Sequence, residues 1–190
     1  MITNKLTKKI EEATNNEITL TMEEKDFAEK NLLLPEGLNI LTQNLFNDAI
    51  IERYNKETDE LIAKEPTSFL QTPASYLKDN MQEFVFLEAN MLDVVSVDAI
   101  AIEYDEVFEV YTAMFGLFIQ KKYTAEIRAF LDDHYNSEKM QYSIMFAGNE
   151  GLWEINLPIN YIKGFDDSFT IKEVYELIYS LIFKLMTNIK

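Results

Sequence analysis

The stretch MQYSIMFAGNEGLWEINLPI, residues 140–159, decides the fold class that we predict for this chain. Apolar and polar residues alternate on both sides of a central turn, which is the period of β-strands with one buried face. The turn, GNEG at residues 148–151, offers residues that tolerate a positive φ. The stretch therefore predicts an antiparallel hairpin over residues 140–157, and Pro158 ends its second strand or places it at a sheet edge.

The residues after the hairpin predict a long carboxyl-terminal helix. Thr170 and Glu173 have the spacing of a capping box, in which two side chains bind each other's backbone amides at a helix start. The apolar residues that follow cover most of the helix circumference. Such a helix must be buried in the chain's own core or against another subunit, and the second alternative predicts a homodimer through this helix. The apolar residues are Ile171, Val174, Leu177, Ile178, Leu181, Ile182, Phe183, Leu185, Met186 and Ile189.

The amino-terminal half has the apolar periodicity of helices over most of its length. Residues 2–13 and 22–34 each have apolar positions at helical spacing, and between them Ile18, Leu20 and Met22 alternate as in a short strand. Apolar residues recur at helical intervals again in residues 38–64, which predicts one long helix or two shorter helices there.

The middle of the chain mixes strand and helix patterns. Residues 83–88 predict a strand, because β-branched and aromatic residues are frequent there. Residues 93–104 alternate as a strand does, but Val94, Val97 and Ala101 also fit a helix, so both alternatives stay open. Helical spacing predicts two further helices, over residues 103–120 and 122–135.

These elements together predict an α+β fold. We expect a helical amino-terminal half, a small and mainly antiparallel sheet that contains the 140–157 hairpin, and the carboxyl-terminal helix packed on that sheet. One domain, residues 1–190, is the default for this length. Pro66 and Pro73 bracket the best candidate for a boundary, and the alternative is a helical segment 1–65 followed by an α+β segment 76–190.

Composition excludes several classes of function. Thirty-three acidic residues against seventeen basic ones give a net charge of −16, which repels nucleic-acid phosphates and anionic lipid headgroups. The chain has no cysteine, which excludes thiolate chemistry and disulfides, and its five glycines form no phosphate-binding pattern. We therefore predict no cofactor, no nucleic-acid partner and no membrane partner.

The amino terminus has no pattern of a secretory signal, so we expect a cytoplasmic protein. Fifteen lysines against two arginines favour an AT-rich bacterial source.

An acidic stretch is the feature on which the functional hypothesis depends. Residues 79–120 contain nine acidic residues and no lysine or arginine. Because like charges so close together repel, a cation or a basic partner would stabilise them, although such runs are usually only solvated faces. We therefore predict a partner-binding face formed by Glu103, Asp105, Glu106 and Glu109.

The segment LDDHYNSE, residues 131–138, supplies the alternative hypothesis. It holds the only histidine of the chain, His134, and could offer metal ligands from Asp132, Asp133, His134 and Glu138. Adjacent residues on a helix point about 100° apart, so these side chains converge poorly, and a solvated helix end is the simpler interpretation. Asp166 and Asp167 likewise have an adequate explanation, because acidic residues before a helix start interact favourably with its dipole.

The sequence thus favours a non-catalytic, cytoplasmic binding or regulatory protein that contacts a basic protein through an acidic face. Proteins that neutralise a basic toxin or nuclease are one such kind, by analogy only. The alternative is a metal-dependent hydrolase in which Asp132, Asp133 and His134 hold an ion that activates water.

Overall fold

The computed structural model describes residues 1–42, 45–135 and 141–189. Helices and strands both occur in this part of the chain, which confirms the α+β class. The helices are α1 (Ile2–Glu11), α2 (Met22–Lys30), α3 (Ser75–Asp79), α4 (Thr124–His134) and α5 (Ile171–Asn188). The strands are β1 (Glu17–Thr19), β2 (Asn39–Leu41), β3 (Ile50–Asn55), β4 (Leu61–Glu65), β5 (Glu83–Glu88), β6 (Val97–Asp105), β7 (Val110–Leu117), β8 (Ser143–Ala147) and β9 (Leu152–Pro158).

Seven strands form one antiparallel sheet in the order β4-β3-β5-β6-β7-β9-β8, and β1 pairs with β2 in a separate parallel ribbon. The predicted hairpin is confirmed as β8 and β9, with Phe146 opposite Trp153 and Gly151 at φ +74° in the turn. Pro158 ends β9, which lies between β7 and β8 rather than at the edge of the sheet.

One face of the sheet carries the core, and we call it the inner face. Strand alternation places buried apolar side chains on this face, and the register aligns them into a row that crosses the sheet. Burial of such a row is the main source of the sheet's stability, at roughly 25 cal/mol per Å² of apolar surface removed from water. The row consists of the buried Ile51, Leu87, Ile100, Phe115 and Ile155 and ends at the half-buried Ile144.

Helix α5 packs on the inner face, as predicted. Its capping box is present, because Thr170 and Glu173 each bind the other's backbone amide. The hydroxyl of the fully buried Tyr175 donates a hydrogen bond of 2.8 Å to the Val85 carbonyl oxygen in β5, which fixes the helix on the sheet. Most apolar residues of α5 are buried within this chain. The chain's own core therefore accounts for the apolar surface that could also have met a second subunit.

The prediction of helices over residues 38–64 was wrong. Strands β2, β3 and β4 lie there, and β3 pairs with both β4 and β5. Along β3 the buried Ile51 faces the core, while its neighbour Ile50 is half exposed on the opposite side. Apolar residues on both sides of a strand obscure the two-residue period, and the helical spacing that remains is then misleading.

The prediction of a helix over residues 103–120 was also wrong. This region contains the end of β6, a tight turn and β7, whose buried residues Tyr111, Ala113, Phe115 and Leu117 follow strand period.

Residues 93–104, for which strand and helix both remained open, contain the end of a short helix and most of a strand. A 3₁₀ helix spans Asn90–Val95 and strand β6 begins at Val97, with Ser96 in the left-handed region between them.

The segment around Pro66 and Pro73 lies between two strands of the same sheet. Strand β3, which precedes it, pairs with β5, which follows it. The Arg53 guanidinium strengthens this junction, because it donates to the Glu65 and Glu83 carboxylates at 2.7 and 2.8 Å and to the Tyr76 hydroxyl at 2.8 Å.

A buried carboxylate joins the amino-terminal helices to α5. Glu24 in α2 has no solvent exposure. Its oxygens accept hydrogen bonds from the Lys9 ammonium at 2.9 and 3.0 Å, from the Tyr179 hydroxyl at 2.7 Å and from the Thr21 amide at 2.8 Å. Burial and then the neighbouring Glu24 raise the pKa of Tyr179. A buried carboxylate is stable only when an opposite charge and hydrogen bonds replace its lost hydration. The fold therefore requires the Lys9 ammonium beside Glu24.

Substitution of Lys9 should therefore destabilise the fold much more than substitution of its neighbour. We expect Lys9→Met to lower the free energy of unfolding by about 3 kcal/mol, because it leaves the Glu24 charge buried without its cation. Lys8→Met is the matched control, since Lys8 is 75% exposed and, among the described residues, forms an ion pair with Glu12 alone, an interaction worth at most about 0.5 kcal/mol. Urea unfolding measures both values, and equal losses would contradict the role of Lys9.

Candidate functional site

The structure places the predicted acidic residues on a hairpin. Glu103 lies in β6, Asp105 is the last residue of β6, and Glu106 and Glu109 lie in the turn that leads to β7. We call residues 105–109 the acidic tip. The tip projects from the two strands near the middle of the seven-stranded sheet, so its base is held on both sides by strand pairing.

Local hydrogen bonds fix the shape of the acidic tip. One carboxylate oxygen of Asp105 accepts from the amides of Val107 and Phe108, at 2.8 and 3.0 Å. Asp105 also pairs with Val110 across the strands, and Glu109 adopts the left-handed conformation at φ +55° to close the turn. Asp105 therefore has a structural role in the turn.

Two apolar side chains protrude from the acidic tip. Val107 is 79% exposed and Phe108 is 61% exposed, and the exposed Glu106 and Glu109 lie on either side of them in the chain. The sequence did not predict that Val107 and Phe108 are exposed. The incorrect helix over residues 103–120 included Val107 among its apolar positions. The aspartate at the start of DEVFE was the available signal, since aspartate favours the first position of a turn.

A second acidic segment lies beside the acidic tip. Glu109, Asp166 and Asp167 line a surface cavity of about 550 Å³, together with Tyr161 and Phe165. The Asp166 carboxylate accepts from the side chain and the amide of Ser168, which lowers the pKa of Asp166 below its usual value. The cavity thus combines carboxylates with two aromatic rings.

A hydrogen bond joins this second segment to the hairpin. The side-chain oxygen of Asn160 accepts from the Tyr111 amide at 2.7 Å, at the start of β7. Burial, and then the charge of Asp167, raise the pKa of Tyr111. The two segments are therefore held together, and their carboxylates contribute negative charge to the same small region of the surface.

Glu103 differs from the other predicted residues. It lies on the face of the sheet opposite the inner face, because it follows the inward-facing Ile102 by one position. The Lys56 ammonium lies 3.5 Å from its carboxylate and donates to the Tyr104 carbonyl oxygen at 2.6 Å. Its charge is thus partly neutralised within the chain, whereas Glu106 and Glu109 lie in solvent.

The alternative metal site lies at the end of α4, and its three described residues, Asp132, Asp133 and His134, do not form a metal-binding group. Asp132 accepts a 2.6 Å hydrogen bond from the Tyr142 hydroxyl, which directs its carboxylate toward that ring. Burial and this hydrogen bond raise the pKa of Tyr142 to about 12. Glu138 lies outside the described residues.

His134 is engaged with its own helix. Its ring stacks on Phe130 at 3.9 Å, and its Nδ1 lies 2.9 Å from the Phe130 carbonyl oxygen. Because a carbonyl oxygen only accepts hydrogen bonds, this contact places a proton on Nδ1. The Asp133 carboxylate is 3.6 Å from the same nitrogen, so it faces the protonated side of the ring. In residues 1–42, 45–135 and 141–189, no three side chains of His, Asp or Glu form a metal-binding group.

Comparisons with known proteins add no family assignment. No protein-family model, curated protein or solved structure matched the chain in these searches. Within the residues that the structure describes, no helix combines the length and the apolar character needed to cross a membrane.

Metal addition should leave the stability of the protein unchanged. We expect a shift in Tm below about 1 °C when Mg²⁺, Ca²⁺, Mn²⁺ or Zn²⁺ is added singly to the metal-stripped protein, whereas a metal at 100 times its Kd would stabilise it by about 2.7 kcal/mol. His134→Ala should lower Tm with or without metal, because it removes the stacking on Phe130, worth about 1 kcal/mol. A metal-dependent rise that occurs in the wild type and disappears in His134→Ala would revive the hydrolase hypothesis.

Proposed function

We propose that this chain is a non-catalytic binding protein that captures a basic protein through the acidic tip. The observation that carries the proposal is the exposure of Phe108 and Val107 among carboxylates. Aromatic side chains act as anchors at the centres of protein interfaces, and a polar rim around them excludes water. The acidic tip has this arrangement, with an apolar centre and a negatively charged rim.

The rigidity of the acidic tip supports a role in binding. The two amide hydrogen bonds to Asp105 and the pairing of β6 and β7 hold the backbone that carries Phe108 in place before any partner arrives. A loop whose backbone is already ordered loses less conformational entropy on association than a flexible loop, so less of the binding free energy is spent on ordering it.

The charge supports a basic partner. Glu106 and Glu109 of the tip, with Asp166 and Asp167 of the adjacent segment, are exposed carboxylates in a chain whose net charge is −16. A concentrated field of one sign accelerates the approach of a partner of opposite sign and repels partners of the same sign. The affinity should therefore decrease as the salt concentration rises.

The residue types at the acidic tip support binding rather than catalysis. Residues 105–109 are DEVFE, which contain no serine, threonine, lysine or histidine. The acidic tip therefore has no hydroxyl or amine nucleophile and no imidazole base, and its carboxylates are the groups of residues 105–109 that could take part in catalysis. One carboxylate of the tip, that of Asp105, already holds the turn.

Charge reversal at the tip should abolish capture of the partner. We would immobilise the protein, pass a cell extract over it and identify the retained proteins by mass spectrometry. We expect the wild type to retain a basic protein, and the double variant Glu106→Lys/Glu109→Lys to lose it. The control is Glu11→Lys/Glu150→Lys, which makes the same change in net charge at exposed positions of α1 and the β8–β9 turn.

The apolar anchor should be tested separately with the purified partner. Phe108→Ser should raise Kd by about 30-fold, as expected for an anchor worth about 2 kcal/mol. Its fold should remain intact, because Phe108 is 61% exposed. Unchanged binding by Phe108→Ser and by the charge-reversed variant would refute the proposed site.

A further inference from the structure

We propose that the face of the sheet opposite α5 docks an amphipathic helix whose apolar stripe is flanked by basic residues. This inference rests on the proposed function, because the helix would belong to the same basic partner. The surface is distinct from the acidic tip. We call this surface the open face and define it by five residues of the central strands: Phe84, Phe86, Ala99, Ala101 and Met114.

The open face is apolar at its centre. Phe86, Ala101 and Met114 lie opposite one another on β5, β6 and β7, and form a row across the three strands. All five residues of the open face are half-buried, whereas the residues that alternate with them on the inner face are buried. The helix α5 and the Tyr76 of α3 contact the inner side of the sheet, through Val85 and Arg53. An apolar sheet face is stable when another element covers it, and a helix is the usual covering element.

Neighbouring contacts give the open face an ordered aromatic end. The Tyr54 ring of β3 stacks on Phe84 at 5.2 Å and meets the edge of Phe86 at 6.2 Å. The Tyr54 hydroxyl donates to the Glu52 carboxylate at 2.5 Å, and Lys64 binds the same carboxylate at 2.9 Å. A rigid aromatic cluster of this kind supplies contact area at low entropic cost.

The dimensions of the open face fit one helix. Neighbouring strands lie about 4.8 Å apart, so β5 and β7 are separated by about 10 Å, which is close to the diameter of an α-helix. Along β6, the distance from Ala99 to Glu103 is about 13 Å at 3.3 Å per residue, which corresponds to about nine helical residues at 1.5 Å each. Two to three turns of a helix would therefore cover the apolar centre.

The charges around the open face require basic flanks on that helix. Strands β5 and β6 contain acidic residues, and none of the strands β5, β6 and β7 contains a lysine or an arginine. Glu88 and Glu154 are exposed at the border of the open face, and neither forms an ion pair with any other described residue. Basic residues beside an apolar stripe would meet these carboxylates while the stripe covers the row at Ala101. A second copy of this chain is disfavoured as the occupant, because each copy carries a net charge of −16.

The open face adjoins the acidic tip. Glu103 lies on the same side of β6 as Ala101, two positions before Asp105, so the strand leads directly from one surface to the other. A partner that reaches the tip can therefore lay a helix along the central strands. The two surfaces together would then form one continuous interface.

A designed peptide tests the open face without the natural partner. The probe is a fluorescein-labelled, 14-residue helical peptide with leucine along one face and lysine elsewhere. One control peptide replaces each lysine with glutamate, and a second replaces each leucine with glutamine. Fluorescence anisotropy measures their binding to the full-length protein, and we expect saturable binding of the leucine-lysine peptide alone.

Variants locate the binding surface. Ala101→Lys places a long cation at the centre of the open face, and we expect it to weaken peptide binding by at least about tenfold. Ala147→Lys is the matched control, because Ala147 is half-buried in the edge strand β8 and lies outside the three central strands. Circular dichroism and urea unfolding confirm that both variants are folded.

Each outcome decides for or against the open face. Loss of binding in Ala101→Lys, with binding retained in Ala147→Lys and in Glu106→Lys/Glu109→Lys, would support it. Full binding by a folded Ala101→Lys, absence of binding by the wild type, or equal binding of the glutamate peptide would overturn it. If only the tip variant loses the peptide, the open face is refuted while the proposed function stands. If the tip variant retains the natural partner and Ala101→Lys loses the peptide, the proposed tip site fails separately.

Discussion

Helix α5 covers only one face of the seven-stranded sheet, and the placement of core and surface residues follows from this asymmetry. Every strand of the sheet exposes side chains alternately to both sides, and α5 packs on one side only, where Tyr175 bonds to Val85. The cross-strand row of buried aliphatic and aromatic residues stabilises that side. The opposite side retains Phe86 and Met114 in a half-buried state. Asymmetric covering of the sheet thus produces both a stable core and a candidate interaction surface.

The high negative charge is compatible with this fold because most of the acidic residues lie outside the core. Glu24 is fully buried, and Lys9, Tyr179 and Thr21 satisfy its oxygens. Arg53 and Lys56, which lie at the sheet, likewise neutralise carboxylates of their own chain. The acidic tip lacks such compensation in its sequence, DEVFE. Its charge is therefore directed to solvent and, in our proposal, to a basic partner.

Sequence patterns predicted the elements whose two faces differ clearly in polarity. The β8–β9 hairpin and helices α1 and α4 each have one apolar side, and α5 has a capping box before a long apolar run, so their local sequence is sufficient. The central strands were harder. In β3 and β7 apolar residues occur on both sides, and the two-residue period disappears into a spacing that also fits a helix. The turn that carries Glu106 and Glu109 was not predicted, and the exposed Phe108 was missed with it.

Local sequence is sufficient for the α+β class, the carboxyl-terminal helix, the hairpin at 140–157 and the acidic character of residues 79–120, because each depends on neighbours in the chain. The pairing of β3, β5, β6 and β7 in one sheet follows from the three-dimensional fold, since it joins residues that are distant in sequence. The same holds for the position of Asp166 and Asp167 beside Glu109. Local patterns specify elements, whereas long-range contacts specify which surfaces remain open.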